Sequence, residues 1–269
     1  MIGRISYYFR SIRQYLETDV LIYSMGKVGS NSLSHSLEKR GLQVSSKHYF
    51  GGDEAHFFNK KSWNLSGRLF RRLISILLRA RRKPCKVISL VRDPLGRNVS
   101  LAFFNLEYLL YHTLRPGKGE NIKGQNWTLH QIIEKGKADL INPLGPIHWF
   151  DEEFGVTTGV DVYQYPFDQQ SGYCIIEQDH FQILLLQMEK LQNLEKVIGD
   201  FMEMDDFRLL RANSSDNNWY AEIYRDFKKQ YLPSSRMLDQ LYQSKYMQHF
   251  YSQEEIASFE QKWQRRVVD

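Results

Sequence analysis

Short β-rich segments that alternate with helical patterns restrict the fold of this chain more than any other feature. Residues 19–24 (DVLIYS) and 86–91 (KVISLV) are almost continuously apolar, which is typical of strands buried on both faces of a parallel sheet. Helical patterns follow both runs, over residues 32–41 and after Pro94. Strands that alternate with helices predict an α/β fold with a mainly parallel central sheet.

The same patterns predict further elements along the chain. Additional strands are expected at residues 42–50, 173–177 and 181–187. Additional helices are expected at residues 65–82, 128–140 and 191–201, with a helical C-terminal part over 217–269. Residues 115–126, which are rich in Gly and Lys, predict a mobile loop, and residues 142–167 an irregular segment.

Length and composition favour one globular domain. The chain has 269 residues, of which 42% are apolar and 14% aromatic, enough to build one buried core. Only 17 Gly and 7 Pro occur, which excludes collagen-like and disordered classes. We expect a single domain over residues 1–269, with an N-terminal helix at 1–18 and the helical segment 217–269 packed on it.

Two features bear on the compartment. Cys85 and Cys174 are the two cysteines, too few for a disulfide framework or a cysteine metal cluster, which fits a reducing environment. The sequence has no apolar run of about 18 residues, and its first 17 residues lack the apolar core of a signal peptide. We expect a cytoplasmic protein without a transmembrane span, either free or peripheral at the inner face of the membrane.

The net charge of +5 comes from one segment. Ten Lys or Arg and no Asp or Glu lie between Lys60 and Lys86. This segment contains the predicted helix 65–82, whose apolar stripe consists of Leu69, Phe70, Leu73, Ile74, Leu77 and Leu78. Three interpretations of this basic helix stay open: a solvated face above a buried stripe, contact with an anionic glycan, or binding to anionic lipid. No recognised nucleic-acid-binding motif is present, so nucleic acid is not an expected partner.

A loop of small residues follows the first predicted strand. It reads Gly26-Lys27-Val28-Gly29-Ser30-Asn31-Ser32 and leads into a helix, where backbone N–H groups and the helix dipole favour an anion. Lys27 adds a positive charge that can follow a transferring group. The loop departs from GxxxxGK[ST], because its Lys precedes the second Gly, and this disfavours a standard ATP or GTP site. The alternative is a purely structural turn.

A second loop of this kind follows the strand at residues 86–91. Arg92 and Pro94 come directly after the strand, and Ser100 stands eight positions after Arg92. A guanidinium and a hydroxyl at one sheet edge are suited to bind a single phosphate. The alternative is that Arg92 pairs with Asp93 and that Ser100 is incidental.

These two loops resemble those of the sulfotransferases that use 3′-phosphoadenylyl sulfate (PAPS). Lys27-Val28-Gly29-Ser30 matches their first loop, and Arg92, Pro94 and Ser100 match their second signature. Residues 183–195 look like the family's late strand and the helix after it. The resemblance implies a P-loop-like, three-layer α/β fold and PAPS as cofactor without a metal.

The resemblance also implies a role for each of these residues. Lys27 would neutralise the leaving phosphate oxygen, and Arg92 with Ser100 would bind the 3′-phosphate. The cofactor-binding loop would hold the 5′-phosphate through the residues Val28, Gly29, Ser30, Asn31 and Ser32.

A narrower resemblance links residues 217–221 (NNWYA) to a bacterial group of capsular polysaccharide synthesis proteins that carries Asn-Lys-Trp-Tyr-Ser. Here Asn218 replaces the Lys and Ala221 replaces the Ser. Trp219 and Tyr220 would either cover the adenine or pack on the core. This group implies a carbohydrate hydroxyl as acceptor, in a capsular or other polysaccharide or a glycolipid.

His48 is the first candidate for the general base, because it lies at the end of the second predicted strand and an imidazole is suited to accept a hydroxyl proton. Glu54 and His56, just beyond a Gly-Gly turn, are close alternatives, and a surface histidine at a strand end is the plain structural interpretation. Acids beside aromatic residues are typical of carbohydrate sites and of ordinary surfaces alike, so a further group stays outside the firm set: Trp149, Asp151, Glu152 and Glu153.

Together these features predict a PAPS-dependent sulfotransferase that acts on a carbohydrate. One alternative is a nucleotide-dependent, kinase-like transferase, which needs a metal-holding carboxylate after a core strand, for which Asp93 is the only obvious residue. Another is a non-catalytic protein that binds nucleotides or acidic glycans, which the changes at Asn218 and Ala221 leave open.

Overall fold

The computed structural model describes residues 15–50, 65–104, 144–210 and 219–264. The first part of the described chain contains β1 (Val20–Tyr23), α1 (Ser30–Glu38), β2 (Val44–Lys47), α2 (Leu65–Arg79), β3 (Cys85–Val91) and α3 (Pro94–Phe104). The next part contains α4 (Gly145–Trp149), a π-helical turn (Phe150–Phe154), α5 (Gly155–Thr158), a 3₁₀ turn (Val162–Gln164), β4 (Tyr173–Gln178), β5 (Phe181–Gln187), a 3₁₀ segment (Met188–Leu194) and α6 (Glu195–Met202). The last part contains α7 (Ala221–Gln230), α8 (Ser235–Tyr242), α9 (Lys245–Phe250) and α10 (Gln253–Gln264).

The five described strands form one sheet in the order β2-β1-β3-β5-β4. The pairs β1–β2, β1–β3 and β3–β5 are parallel, and β4 pairs antiparallel with β5 at one edge. β3 and β5 are almost entirely buried, as expected for apolar strands covered on both faces. The predicted α/β fold with a mainly parallel sheet is therefore confirmed, whereas its P-loop-like, three-layer identity stays a prediction.

The described chain divides into two compact units, each made of separate stretches of sequence. The sheet unit contains residues 15–50, 65–92 and 148–210, and the helical unit contains residues 93–104, 144–147 and 219–264. The expectation of a single domain over residues 1–269 stays a prediction.

In the helical unit, α3 and the C-terminal helices α7 to α10 share an aromatic core. The Phe103 ring contacts those of Tyr220, Tyr224 and Phe227 at centroid distances of 5.8, 4.9 and 5.1 Å. Such offset and edge-to-face pairs stabilise a core beyond the area they bury. The predicted helical character of the C-terminal part is confirmed over residues 221–264, and Tyr220 packs in this core.

Residues 142–167 are predicted to be irregular, and this prediction is wrong for residues 145–158. The structure is helical from Gly145 to Thr158, with a π-helical turn in the middle. Gly145, Pro146 and Gly155 disfavour a helix, but Trp149, Phe150 and Phe154 are almost fully buried. Tertiary packing of these rings therefore overrides the weak local propensity.

Other predicted helices differ in their bounds or lie outside the described residues. The predicted helix 65–82 ends at Arg79, and the predicted helix 191–201 begins as a 3₁₀ segment before α6. Of the predicted N-terminal helix 1–18, residues 15–18 are described, and residues 15–17 are helical. The predicted loop 115–126 and helix 128–140 lie outside the described residues.

The predicted stripe of α2 is split between two faces. Ile74 and Leu78 are buried at 1% exposure, whereas Leu69 and Leu73 are 57% and 43% exposed. The expectation that a single apolar stripe is buried is therefore wrong for Leu69 and Leu73. Among the described residues, no helix is long and apolar enough to cross a membrane.

Candidate active site

The strand order places a topological switch point at the carboxyl end of β1. β2 and β3 lie on opposite sides of β1, so the chain changes direction around this strand. Ligands of open α/β sheets bind at such a topological switch point. The loop after β1, the residue after β3 and the residue after β2 all belong to this edge, and they carry Lys27, Arg92 and His48 respectively.

The loop after β1 has two buried side chains and two residues in left-handed backbone conformations. Met25 and Val28 are fully buried, while Lys27 (φ 68°) and Gly29 (φ 89°) take left-handed conformations. Only glycine adopts that conformation without strain. These left-handed residues let the chain turn from the end of β1 at Tyr23 to the start of α1 at Ser30.

The N-terminus of α1 has the properties of an anion site. No side chain caps this helix end, and the first N–H groups of a helix have no acceptor within the helix. These groups and the positive end of the helix dipole attract phosphate-like anions. The residues Ser30, Asn31 and Ser32 lie on this first turn, as the proposed 5′-phosphate contact requires.

Arg92 joins the two loops. Its Nη1 donates a hydrogen bond to the backbone carbonyl of Lys27 at 2.6 Å, and its side chain is half-buried. The structure thus brings Lys27 and Arg92 together, with Arg92 restraining the strained backbone from which the Lys27 side chain projects.

His48 lies at the same edge, immediately after β2. Its Nδ1 is 2.7 Å from the carbonyl oxygen of Ser24, and the Ser24 N–H donates to the Lys47 carbonyl at 3.3 Å. A carbonyl oxygen only accepts, so Nδ1 carries the proton, and the neutral ring then holds its lone pair on Nε2. This tautomer is the one that a general base requires.

The segment that follows His48 is fixed by the π-helical turn and the helix before it. The Trp149 indole N–H donates to the His48 carbonyl at 3.1 Å, and the Phe50 N–H donates to Glu153 Oε1 at 2.7 Å. π-helical turns occur frequently at functional sites. Trp149 and Glu153 therefore act on the candidate base through its backbone.

Of the acidic and aromatic residues that could face a carbohydrate or an ordinary surface, the structure excludes Trp149 and Glu153 from both. Trp149 and Glu153 are fully buried, so neither presents its side chain to a sugar at the surface, while Asp151 is exposed. The sequence does contain a signal for burial, which the analysis missed. Trp149, Glu153 and Thr157 repeat at four-residue spacing, as on one face of a helix.

Glu153 lies at the centre of a buried polar cluster, which we call the Glu153 cluster. Tyr23 Oη donates to Glu153 Oε1 at 2.7 Å and lies 2.9 Å from the Thr157 hydroxyl. Arg71 Nη1 is 3.1 Å from Glu153 Oε2 and also donates to the Glu152 carbonyl at 3.0 Å. The cluster ties β1, α2, the segment after β2 and the π-helical turn to one carboxylate.

Burial dominates the electrostatics of this cluster. It raises the pKa of Glu153 above its ordinary value, although the Phe50 N–H, Tyr23 and Arg71 each favour the carboxylate. Burial, and then the nearby charge of Glu153, raise the pKa of the Tyr23 phenol well above its ordinary value. The Tyr23 phenol therefore stays protonated at neutral pH, and its hydroxyl can donate to Glu153.

Asp93 does not suit the metal-binding role that a kinase would require. Its carboxylate accepts from the N–H groups of Leu95 and Gly96 and thereby caps α3. The same carboxylate accepts from the Tyr242 hydroxyl at 2.8 Å and the Trp263 indole at 3.3 Å. With 2% exposure, its oxygens are committed to structural bonds, which disfavours the kinase-like alternative.

The remaining predicted site residues lie on other elements or outside the described residues. Ser100 is half-buried on α3 of the helical unit, and its convergence with Arg92 on one phosphate stays a prediction. Glu54 and His56 lie outside the described residues, as do Asn217 and Asn218. Trp219 is 39% exposed and contacts the Tyr220 ring at 5.6 Å.

The described residues thus define an α/β protein in which Lys27, His48 and Arg92 follow three neighbouring parallel strands at one sheet edge. A family model described as "putative capsular polysaccharide synthesis protein" (NKWYS) matches residues 122–252. No curated protein and no solved structure matches this chain significantly. The matched span includes residues 217–221 and supports the narrower resemblance there. It lies downstream of Lys27, His48 and Arg92, so the sulfotransferase resemblance, which depends on their loops, stays a prediction.

Proposed function

We propose that this protein is a PAPS-dependent sulfotransferase that modifies a hydroxyl of a carbohydrate in polysaccharide synthesis. The main support is the grouping of three functional residues at one sheet edge. Arg92 bonds to the Lys27 backbone at 2.6 Å, and His48 bonds to the end of β1 at 2.7 Å. A cation, a helix N-terminus and a candidate base at one sheet edge suit transfer from an anionic donor.

The donor set fits an adenosine 3′,5′-bisphosphate group. The N–H groups of Ser30 and Asn31 would hold the 5′-phosphate, because they lie at the start of a helix that no described side chain caps, while the Ser32 N–H donates to the Gly29 carbonyl at 3.1 Å. Arg92 would bind the 3′-phosphate in a bidentate manner. PAPS, when bound there, would supply the sulfuryl group.

Lys27 would stabilise the charge that develops on the leaving phosphate oxygen. Its φ of 68° is a conformation that non-glycine residues seldom adopt, and such conformations cluster at ligand clamps and active sites. The Arg92 bond to its carbonyl limits the motion of this backbone. The Lys27 ammonium would therefore start from a restrained position.

Nε2 of His48 would accept the proton of the attacking hydroxyl. The new bond forms between the acceptor oxygen and sulfur, while the bond between sulfur and the phosphate oxygen breaks. The carbonyl of Ser24 would hold the Nδ1 proton and stabilise the imidazolium that results. The carbohydrate acceptor is supported by the family model over residues 122–252 alone.

Calorimetric titration tests the proposal directly. Adenosine 3′,5′-bisphosphate is expected to bind without metal and more tightly than AMP or ATP–Mg²⁺. Arg92→Ala should weaken binding of the bisphosphate more than binding of AMP. Loss of the Arg92 bond to the Lys27 carbonyl affects both ligands, whereas loss of the 3′-phosphate contact affects the bisphosphate alone. Lys196→Ala is the matched control, since Lys196 pairs with Asp200 on the surface of α6.

Two outcomes would contradict the proposal. Tighter binding of ATP–Mg²⁺ would indicate kinase chemistry, and absence of binding by every nucleotide would favour a non-catalytic glycan-binding protein. Once an acceptor is found, His48→Ala should lower turnover by about 10²-fold or more with unchanged bisphosphate affinity. A smaller effect would transfer the role of base to Glu54 or His56.

A further inference from the structure

Helix α2 has two apolar faces, and in the described part of the chain its inner face is buried while its outer face is exposed. Ile74 and Leu78 are buried, and Arg71 reaches inward to Glu153. Near its C-terminal end, Arg79 donates to the Thr158 carbonyl at 2.8 Å and anchors the helix against α5. These contacts hold α2 in place without help from its outer face.

The outer face carries three large aliphatic side chains in one row. Leu69, Leu73 and Ile76 are 57%, 43% and 58% exposed. Their spacing of four and then three residues places them on the same side of the helix, opposite Ile74 and Leu78. A single exposed aliphatic residue is ordinary, but a contiguous row indicates an interaction surface.

Cations border this row. Arg68 and Arg72 are exposed one turn apart on α2, and Arg82 and Lys83 are exposed just beyond its end. The sequence has no acidic residue between Lys60 and Lys86. The outer surface therefore combines an apolar row with exposed positive charge, and we call it the α2 outer face.

We propose that the α2 outer face binds the surface of an anionic lipid bilayer. Helices that lie in the membrane interface have aliphatic residues on one side and Lys or Arg beside them, which meet acyl chains and anionic headgroups respectively. An anionic glycan would contact the arginines and leave the aliphatic row in water. A second copy of this chain would bring the same cations against each other across a symmetric contact.

Vesicle co-sedimentation of the purified full chain tests this inference. The protein should bind vesicles of phosphatidylcholine with phosphatidylglycerol far better than vesicles of phosphatidylcholine alone. The double variant Leu69→Gln/Ile76→Gln should reduce this binding about tenfold or more, because it removes two apolar side chains from the interface. Ile175→Gln is the matched control, since Ile175 is 49% exposed on the edge strand β4.

Two further variants test how much the positive charge of the α2 outer face contributes to vesicle binding. Arg68→Gln and Arg72→Gln should each weaken binding to the anionic vesicles about fivefold, and added salt should reproduce that loss. Lys196→Gln, an exposed cation of α6, should change binding little. All variants alter exposed side chains, so circular dichroism and urea midpoints equal to those of the wild type would verify that they fold.

Three results would overturn the inference. The first is equal binding by the wild type and the Leu69→Gln/Ile76→Gln variant. The second is binding to dextran sulfate but not to anionic vesicles, which would indicate a glycan surface. The third is concentration-dependent dimerisation that the same variant abolishes, which would indicate a second copy. Nucleotide titration of the same samples is independent of all three, so failure here and failure of the proposed sulfotransferase are distinguishable.

Discussion

Replacing Arg71 by methionine tests whether the Glu153 cluster carries a buried charge. Met preserves much of the aliphatic stem but removes the cation 3.1 Å from the fully buried Glu153 carboxylate. Removing one partner of a buried ion pair costs about 3–5 kcal/mol, because the other charge remains without compensation. The Tyr23 hydroxyl and the Phe50 N–H still donate to Glu153, so we expect a loss near the lower end, about 3 kcal/mol.

The pH dependence of this loss has a defined sign. Burial raises the pKa of Glu153 in the folded protein, so the folded state binds the proton more tightly than the unfolded state. The free energy of unfolding therefore falls as pH rises from the ordinary Glu pKa through the raised one. Loss of Arg71 raises that pKa further, so the cost of Arg71→Met should be larger at pH 8 than near pH 5.

Urea unfolding followed by tryptophan fluorescence measures these effects, because Trp149 packs against Tyr23 with ring centroids 5.2 Å apart. The double variant Arg71→Met/Glu153→Gln should recover most of the loss, since a glutamine oxygen still accepts from Tyr23 and Phe50. Lys196→Met, which breaks an exposed ion pair, is expected to leave the midpoint unchanged. A loss that is independent of pH, or a double variant no more stable than the single one, would refute the reasoning.

Three further outcomes are expected. Gly29→Ala should destabilise the fold by about 1–2 kcal/mol in urea unfolding, because Gly29 has φ 89°, and Gly29→Asn should cost less; equal stability of the alanine variant would argue against strain. Ser89→Ala should stabilise the fold by about 1 kcal/mol, because the buried Ser89 hydroxyl has no hydrogen-bond partner among the described residues; a loss of stability would reveal one. Burial raises the pKa of the Cys174 thiol to about 12 and also raises that of Cys85, so iodoacetamide at pH 8 should modify both only after denaturation, and mass spectrometry of the native protein would detect any earlier reaction.

The strands could be predicted because their signal is local. Residues 86–91 and 181–187 are apolar at nearly every position, and β3 and β5 cover them. The small-residue loop before α1 was equally visible, because glycine permits the positive φ seen at Gly29. The helix 145–158 was not predicted, because Gly and Pro weaken the helix propensity of this segment. Glu153 is buried, although glutamate is usually a surface residue.

The candidate site divides in the same way. Lys27, Arg92 and His48 were chosen from residue type and position after strands, but their grouping depends on a strand order that no local pattern encodes. Likewise, the stripe of α2 predicted one buried face, and only packing separated buried Ile74 from exposed Leu73.

The sequence by itself therefore determined the α/β class, the individual strands and the residue types at the sheet edge, because periodicity and glycine conformation act within a few residues. Only the tertiary structure decided the order β2-β1-β3-β5-β4, the bond from Arg92 to the Lys27 backbone and the burial of Glu153 with Arg71. These features join residues that are 65 and 82 positions apart. Contacts at such separation form only when the whole chain packs, and burial then sets their energy.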